Sequence, residues 1–306
     1  MYSAGWLSQT PQGISIAQDD LFVRNILVAT DLSQCSARAL DYALGIAGRF
    51  ESQLHLFYCI DPVPYNVVAP DALWKTVDDA RSELEQVISD LRRQGRANSL
   101  DVKVVVEVGE VATVLPHVAK HLKADLTVVG THGRTGWKKM LLGSVAETVI
   151  DEASCPVLAV ASSAVRTRAE ANGPESILLV RGATRRSHLA ESYAYSLARR
   201  YRARLNIIDV LENQSGRVLA QVSEFTCCEA DGSDTIPAKG SPRLEQVAEE
   251  VGTESSVTLR VANRTAADLV VLAVPQDPKF TDRFVSTDSY RVVCDAPCPV
   301  LTVRHR

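Results

Sequence analysis

The chain repeats itself at a spacing of 143 residues, and this repeat limits the folds that the sequence can adopt. The octapeptide ASCPVLAV at residues 153–160 returns as APCPVLTV at residues 296–303, and DLTVV at 125–129 returns as DLVVL at 268–272. A fixed internal period indicates duplicated structural units. Because 306 residues suffice for two domains that each bury a hydrophobic core, we expect a tandem of two similar domains.

Short apolar strands alternate with helices in both halves. In the first half we predict strands at 25–30, 53–58, 102–108, 124–129 and 157–160, and helices at 34–49, 71–94, 111–122 and 145–153. In the second half we predict strands at 176–181, 204–209, 268–272 and 300–303, and a helix at 187–200. This alternation is typical of a doubly wound sheet, whose ligands bind at the carboxyl ends of the strands. We therefore expect an α/β fold of two tandem doubly wound domains, each with a parallel five-stranded sheet.

Composition along the chain suggests the domain boundaries. We expect an N-terminal tail at residues 1–20, a first domain at 21–161, a polar linker at 162–175 and a second domain at 176–306. The segment at 212–242 is rich in Ser, Gly and Asp, so we predict a less regular insertion there, to which the sequence assigns no chemistry.

The most informative segment for function follows the strand at 124–129. Gly130-Thr131-His132-Gly133, nine further residues and then Gly143-Ser144 form a glycine-rich loop before a helix. Glycines let backbone amides close around an anion, and a helix amino terminus adds unpaired amides and a partial positive charge. The loop is therefore typical of a phosphate site. Two local alternatives stay open, since Ser144 and Glu147 form a capping-box pattern and Gly130 is compatible with a simple turn.

Three motifs of the first half occur in the order found in one known family. These are ILVATDLS at residues 26–33, the Gly-x2-Gly-x9-Gly-Ser loop and the SCPVL strand at 154–158. Together they closely resemble the universal stress protein family over residues 22–161, and residues 176–306 resemble a second, degenerate copy. The chain is thus similar to tandem members of that family, and the resemblance implies an adenine nucleotide alpha hydrolase-like fold.

The resemblance implies an adenine nucleotide, usually ATP, across the strand ends, with or without Mg²⁺. Asp31 then lies near the adenine or ribose, although its position also suits an N-cap or a turn residue. Backbone contacts to adenine are implied for Ala29 and Cys59. The phosphates are then held by Gly130, Gly133, Gly143, Ser144 and Val145, and Thr30, Thr131, His132, Arg134 and Thr135 complete the nucleotide site.

The second copy departs from this pattern at each key position. Ala273, Gln276 and Ser286 match Gly130, Gly133 and Gly143, and Gly182 matches Asp31. Added side chains would crowd an amide nest, so we expect that the second half has lost the nucleotide.

Composition disfavours several classes of function. A net charge of −4 argues against a nucleic-acid partner, and no apolar run in the sequence is long enough to cross a membrane. The first residues carry no signal-peptide pattern, so we expect a cytoplasmic protein. Seven cysteines without regular spacing fit a reducing compartment, and the sequence offers no complete set of metal ligands.

We expect a nucleotide-linked regulatory or stress-tolerance protein that has no catalytic residues. Slow ATP hydrolysis stays open, with His132 as the base that the loop offers. An adenylating enzyme of the ATP pyrophosphatase type is an alternative, but its Ser-Gly-Gly-x-Asp-Ser loop is replaced here by ATDLS at residues 29–33. A scaffold that binds no nucleotide is the third candidate.

The last strand of each half is a candidate contact between the halves. In single-domain members of the family this strand pairs with that of a partner subunit, so the resemblance implies an intrachain pseudo-dimer through residues 157–160 and 300–303. Covering an apolar edge strand is also physically favourable. A homodimer of the whole chain stays open.

Overall fold

The computed structural model describes residues 23–61, 70–131, 142–161, 173–182, 187–212, 218–226, 243–246, 253–275 and 288–305. The predicted tail at 1–20 and most of the predicted linker at 162–175 lie outside these ranges.

Five strands alternate with four helices in the first half, as the sequence predicts. The elements are β1 (Asn25–Ala29), α1 (Gln34–Phe50), β2 (Gln53–Ile60), α2 (Pro70–Arg93), β3 (Val102–Val108), α3 (Val111–His121), β4 (Leu126–Gly130), α4 (Ser144–Glu152) and β5 (Val157–Val160). The second half contributes β6 (Ser176–Gly182), α5 (His188–Tyr201), β7 (Arg204–Glu212), β8 (Val218–Thr226), β9 (Arg243–Gln246), α6 (Glu254–Arg264), β10 (Leu269–Pro275), α7 (Asp288–Asp295) and β11 (Val300–His305).

All strands in the described ranges belong to one sheet, in the order β3-β2-β1-β4-β5-β11-β10-β6-β7-β8-β9. Neighbouring strands within the first half are parallel, and so are β11, β10, β6 and β7 in the second. The halves meet where β5 and β11 pair in antiparallel fashion. The predicted doubly wound α/β fold is confirmed. The predicted parallel five-stranded sheet is found in the first half, whereas the described strands of the second half are four parallel strands and two more, β8 and β9, that join by antiparallel pairing.

The outer edge of the second half differs from that of the first. β8 pairs antiparallel with β7, and β9 pairs antiparallel with β8, in the place where the first half has β3. The prediction of irregular structure at 212–242 is therefore wrong for residues 218–226. Ala220 and Val222 are buried because they alternate along the strand toward the core, a pattern that the polar residues on either side obscure in the sequence.

The first strand of each half begins with the same pair of hydrogen bonds. The Asp125 carboxylate accepts bonds of 2.8 and 2.9 Å from two backbone amides at the start of β1. Asp268, its counterpart in the repeat, accepts bonds of 3.0 and 3.1 Å from two amides at the start of β6. The sequence repeat is thus also a repeat of local structure.

The core has two layers because side chains alternate across the sheet. Ile26 and Val28 belong to a buried cluster with α1, α2 and α5, whereas Leu27 belongs to a cluster with α3, α4, α6 and α7. Consequently α1 and α4 pack on opposite faces of the sheet. Among the described residues, no helix is both long and apolar enough to cross a lipid bilayer.

Candidate functional site

The sheet order creates a crevice at the carboxyl ends of β1 and β4. These strands are neighbours, but the helices that follow them, α1 and α4, lie on opposite faces. Such a switch point leaves an opening where α/β proteins bind ligands. The predicted site residues that the structure describes at the surrounding strand and helix ends are Ala29, Thr30, Asp31, Cys59, Gly130, Thr131, Gly143, Ser144 and Val145.

A hydrogen-bonded turn connects β1 to α1. Ser33 is the N-cap of α1, and its hydroxyl accepts a bond of 3.2 Å from the Ser36 amide. Asp31 Oδ1 accepts a bond of 3.0 Å from the Ser33 amide. Of the two local alternatives for Asp31, the N-cap is therefore wrong and the turn residue is confirmed. Whether Asp31 also contacts a nucleotide stays a prediction.

This turn holds a non-glycine residue in the left-handed region. Leu32 has a φ of 63°, which is unfavourable for a branched apolar side chain. The Leu32 amide donates to Thr30 Oγ1 at 3.0 Å, and Thr30 Oγ1 also hydrogen-bonds Ser36 Oγ at 3.1 Å. These bonds fix the backbone course from β1 to α1 and with it the position of Asp31.

Gly130 ends β4 directly against the start of α1. A Cβ atom at this position would lie 3.0 Å from Cys35 Sγ and 3.4 Å from the Ser36 amide nitrogen. Glycine thus permits a close approach between a strand end and a helix start, where a larger residue would push the Cys35 side chain away. Because Gly130 is the last residue of β4, the alternative of a simple turn is wrong.

Backbone hydrogen bonds fix both ends of the glycine-rich loop. The Thr131 amide donates to the Val160 carbonyl at 3.0 Å, and the Gly143 amide donates to the Thr131 carbonyl at 2.8 Å. The entry and exit of the loop therefore lie side by side beneath the start of α4. Residues 132–141, which include the predicted site residues His132, Gly133, Arg134 and Thr135, lie outside the described residues.

Gly143 is the N-cap of α4, with φ of −65° and ψ of 143°. Ser144 is exposed and is already the first helical residue, and within the described part of the chain no side chain caps this helix. The capping-box alternative for Ser144 and Glu147 is therefore wrong. The first amides of a helix need an external partner when no side chain provides one, so this helix start suits an anion.

The opposite side of the crevice is formed by the ends of β1 and β2. Ala29 pairs with Phe57, and the Thr30 amide donates to the Phe57 carbonyl at 2.9 Å. The Cys59 thiol donates to the Gly109 carbonyl at 3.2 Å, and burial raises the pKa of Cys59 to about 11. Cys59 is thus a neutral, unreactive thiol, and its backbone rather than its sulfur is the part suited to a ligand.

Sequence reasoning missed several residues that shape the site. Cys35 and Ser36 lie against Gly130. Tyr290 belongs to the second half, and its hydroxyl lies 2.9 Å from the Leu142 amide nitrogen. The pattern Ser33-x-x-Ser36 after an apolar strand is a local signal that identifies the cap of α1. The contact of Tyr290 has no comparable local signal because 148 positions separate the partners.

The corresponding region of the second half carries side chains at positions where the first half has glycine. Ala273 takes the place of Gly130 and is buried. Asp288, the first residue of α7, accepts a hydrogen bond of 2.5 Å from Ser255 Oγ, so a carboxylate of the chain itself lies at this helix start. Arg181 pairs with Asp209 at 2.5 Å and with Glu191 at 3.7 Å. These contacts place internal ion pairs and hydrogen bonds in the region, beside a small cavity lined in part by Val180, Ala273 and Asp288.

The described residues also limit what else the site can hold. Among them, no group of three or more His, Cys, Asp or Glu side chains is arranged to bind a metal ion. The described parts of the site therefore offer backbone amides and small polar groups as their main chemistry.

Comparison with known proteins assigns the family. Residues 23–161 match the model of the universal stress protein family. A universal stress protein of Methanocaldococcus jannaschii is 31% identical over 138 residues, a match that spans 45% of this chain and 81% of that protein. A universal stress protein of Synechocystis is 30% identical over 151 residues, which span 44% of this chain and 96% of the relative.

A solved structure matches both halves. The crystal structure of a universal stress protein from Archaeoglobus fulgidus covers 93% of this chain and 97% of its own, with a TM-score of 0.67 and 19% sequence identity. At that identity the likeness supports the fold only. From the two relatives at 30% identity or more, together with the family model, it follows that the chain belongs to the universal stress protein family.

Proposed function

We propose that the first half binds ATP in the crevice between β1 and β4 and that the protein acts as a nucleotide-linked regulator. The observation that carries this proposal is the start of α4, where Gly143 is the N-cap and no described side chain satisfies the first amides. A triphosphate supplies oxygen acceptors and negative charge, which are what such a helix start favours.

Two glycines bring backbone segments together beside this helix start. A Cβ atom at Gly130 would lie 3.0 Å from Cys35 Sγ at the start of α1, and a Cβ atom at Gly143 would lie 3.3 Å from the Thr131 carbonyl oxygen. Glycine at both positions lets the strand end and the two helix starts approach one another closely, so their backbone amides converge on one site. Ser144 is exposed at the same helix start, where its hydroxyl is available to a phosphate oxygen.

The adenine and ribose are proposed to lie toward β1 and β2. Ala29, Thr30 and Asp31 follow one another at the end of β1, and Cys59 lies near the end of the adjacent β2. Free backbone edges at strand ends give hydrogen bonds to a base, and a carboxylate accepts bonds from ribose hydroxyls. Asp31 is held by its turn, so its carboxylate is preorganised for this role.

We further propose that the chain is a tandem member of the family whose halves form an intrachain pseudo-dimer. In the antiparallel pairing of β5 with β11, Leu158 lies opposite Leu301, which is its own counterpart in the repeat. Where a twofold axis relates two units, a residue close to the axis lies opposite its own equivalent. The pairing also covers an apolar edge strand in each half.

Binding without turnover is the proposed activity. The described residues supply amides and hydroxyls, while a phosphoryl-transfer enzyme needs a positioned base and groups that stabilise charge on the γ-phosphate. An assay of phosphate release from ATP tests this point, and multiple turnovers within minutes would contradict it.

The substitution Gly143→Asp tests ATP binding most sharply. The backbone at this N-cap is extended, so an aspartate can cap the helix itself once the Thr131 carbonyl, 3.3 Å from the new Cβ atom, shifts by a few tenths of an ångström. We expect the free energy of unfolding to change by less than about 1 kcal/mol, while the carboxylate occupies the amides and repels phosphate. ATP affinity, measured by isothermal titration calorimetry on the full chain, should fall at least about tenfold.

The matched control is Gly48→Asp, which adds the same charge on α1 at a position where a Cβ atom meets no described atom within 4 Å. Its ATP affinity should equal that of the wild type. Equal ATP affinity in Gly143→Asp and Gly48→Asp would refute the proposed site.

A further inference from the structure

We infer that Tyr290, in the second half, is a positioning residue for the nucleotide loop of the first half, so that the second half sets the ATP affinity of the first. This inference rests on the proposed function. Tyr290 lies on α7, and its hydroxyl accepts a hydrogen bond of 2.9 Å from the Leu142 backbone amide. Tyr290 thus brings a side chain of the second half into contact with the residue that precedes the N-cap of α4.

The contact is shielded from water on both sides. Leu142 and Tyr290 are each 5% exposed. A hydrogen bond between groups so buried is costly to break, because the Leu142 amide would lose an acceptor without gaining water and would keep only its weaker interaction with the Cys294 thiol. The contact therefore holds Leu142 and Tyr290 in a fixed relative position.

Leu142 is directly followed by Gly143, the N-cap of α4. The Gly143 amide is held by the Thr131 carbonyl at 2.8 Å, and the neighbouring Leu142 amide is held by Tyr290. Two successive amides at the exit of the loop are thus anchored, one within the first half and one across the sheet junction. The orientation of the first backbone amides of α4 depends on both hydrogen bonds.

The chemical state of Tyr290 suits this role. Burial raises the pKa of the Tyr290 hydroxyl, so it stays neutral and keeps its oxygen as an acceptor at physiological pH. Cys294, one turn further along α7, hydrogen-bonds with Tyr290, and burial raises the pKa of this thiol to about 11. The anchor is therefore insensitive to pH changes near neutrality.

Coupling between the halves follows from this geometry. If Tyr290 favours the loop conformation that binds ATP, then ATP must favour the Tyr290 contact by the same factor. The second half would thus retain a function in nucleotide binding although its own nucleotide pattern is lost.

The test uses the full-length Tyr290→Phe variant, which keeps the buried ring and removes only the hydroxyl. Its dissociation constant for ATP, measured by isothermal titration calorimetry, should rise about three- to tenfold. Tyr201→Phe is the matched control, because Tyr201 also belongs to the second half and its buried hydroxyl has no hydrogen-bond partner among the described residues. The ATP affinity of Tyr201→Phe should stay within twofold of the wild type.

A second measurement follows the Leu142 amide directly. Hydrogen exchange of the Leu142 amide in the wild type should be slow and should slow further when ATP is added, since the two contacts support each other. In Tyr290→Phe this amide should exchange at least about tenfold faster without ATP.

The outcomes separate the two proposals. If the wild type binds ATP and Tyr290→Phe binds it equally well, or if ATP leaves Leu142 exchange unchanged, the inference about Tyr290 is wrong and the proposed function stands. If the wild type binds no ATP, the proposed function fails, and the inference fails with it.

Discussion

At the scale of single residues, the site depends on positions where a side chain is missing. The sequence predicts the glycines correctly as special positions, because their spacing between a strand and a helix is a local pattern. It does not predict why Gly130 is needed, since the atom that would clash with a side chain belongs to Cys35, far away in the chain. It also suggests a capping role for Ser144 that the backbone does not adopt.

The contact between Gly130 and Cys35 gives a double-mutant prediction. Gly130→Ala should lower the free energy of unfolding by about 1–2 kcal/mol, because the new methyl group would lie 3.0 Å from Cys35 Sγ. In a Cys35→Ala background the sulfur is absent, so the same change should cost about half as much or less. Urea unfolding of the four proteins measures this coupling.

Gly48→Ala is the control for the intrinsic effect of the substitution. Among the described atoms, none lies within 4 Å of a Cβ at this helical position, so alanine should stabilise the protein by about 0.5–1 kcal/mol. An equal cost of Gly130→Ala with and without the Cys35 sulfur would disprove the close contact.

At the scale of helices and strands, the sequence predicts most of the structure. In the first half each boundary lies within two residues of its predicted position, because every strand is an apolar run between turn-forming residues. β8 is missed since its alternating residues VLAQVSEFT lie between polar segments. The interaction of Asp151 on α4 with Arg304 on β11 is not predictable either, because it depends on how the halves join.

The burial of Asp151 on α4 gives a prediction of how stability depends on pH. Burial raises the pKa of Asp151 from 3.8 to about 6, although Arg304 on β11 opposes this shift. The folded state therefore binds a proton more tightly than the unfolded state, and stability falls as pH rises from about 4 to about 6. Asp151→Asn should be more stable than the wild type at pH 7.5, by less than about 2 kcal/mol since the group is half exposed, and the difference should vanish near pH 4.

The control for Asp151 is Asp90→Asn on α2. Hydrogen bonds from Arg93 and Gln86 lower the pKa of Asp90, so its ionised form is the favoured one in the folded protein. Asp90→Asn should therefore bring no gain in stability at pH 7.5. Thermal unfolding across the pH range measures both variants, and a destabilised Asp151→Asn at neutral pH would show that the pair with Arg304 outweighs burial.

At the scale of the whole molecule, the two halves meet through reciprocal contacts. The guanidinium group of Arg49 donates to the Arg200 carbonyl at 3.0 Å, and that of Arg200 donates to the Arg49 carbonyl at 2.7 Å. Phe50 and Tyr201, the next residues, stack edge to face at 6.2 Å. The sequence repeat predicts two similar units, but these contacts depend on the relative placement of the units and have no local signature.

The two units differ where the nucleotide is proposed to bind. In the first half, no described side chain caps the start of α4, whereas Asp288 and Ser255 hydrogen-bond to each other at the start of α7 in the second half. Similar folds therefore need not have similar ligands, and the stoichiometry of binding distinguishes the halves.

The most direct test is the number of ATP molecules bound per chain at saturation, measured by equilibrium dialysis on the full-length protein. We predict one ATP per chain in the wild type and in Gly48→Asp, and a loss of this binding in Gly143→Asp. Two ATP molecules per chain, or a single one that persists unchanged in Gly143→Asp, would contradict it.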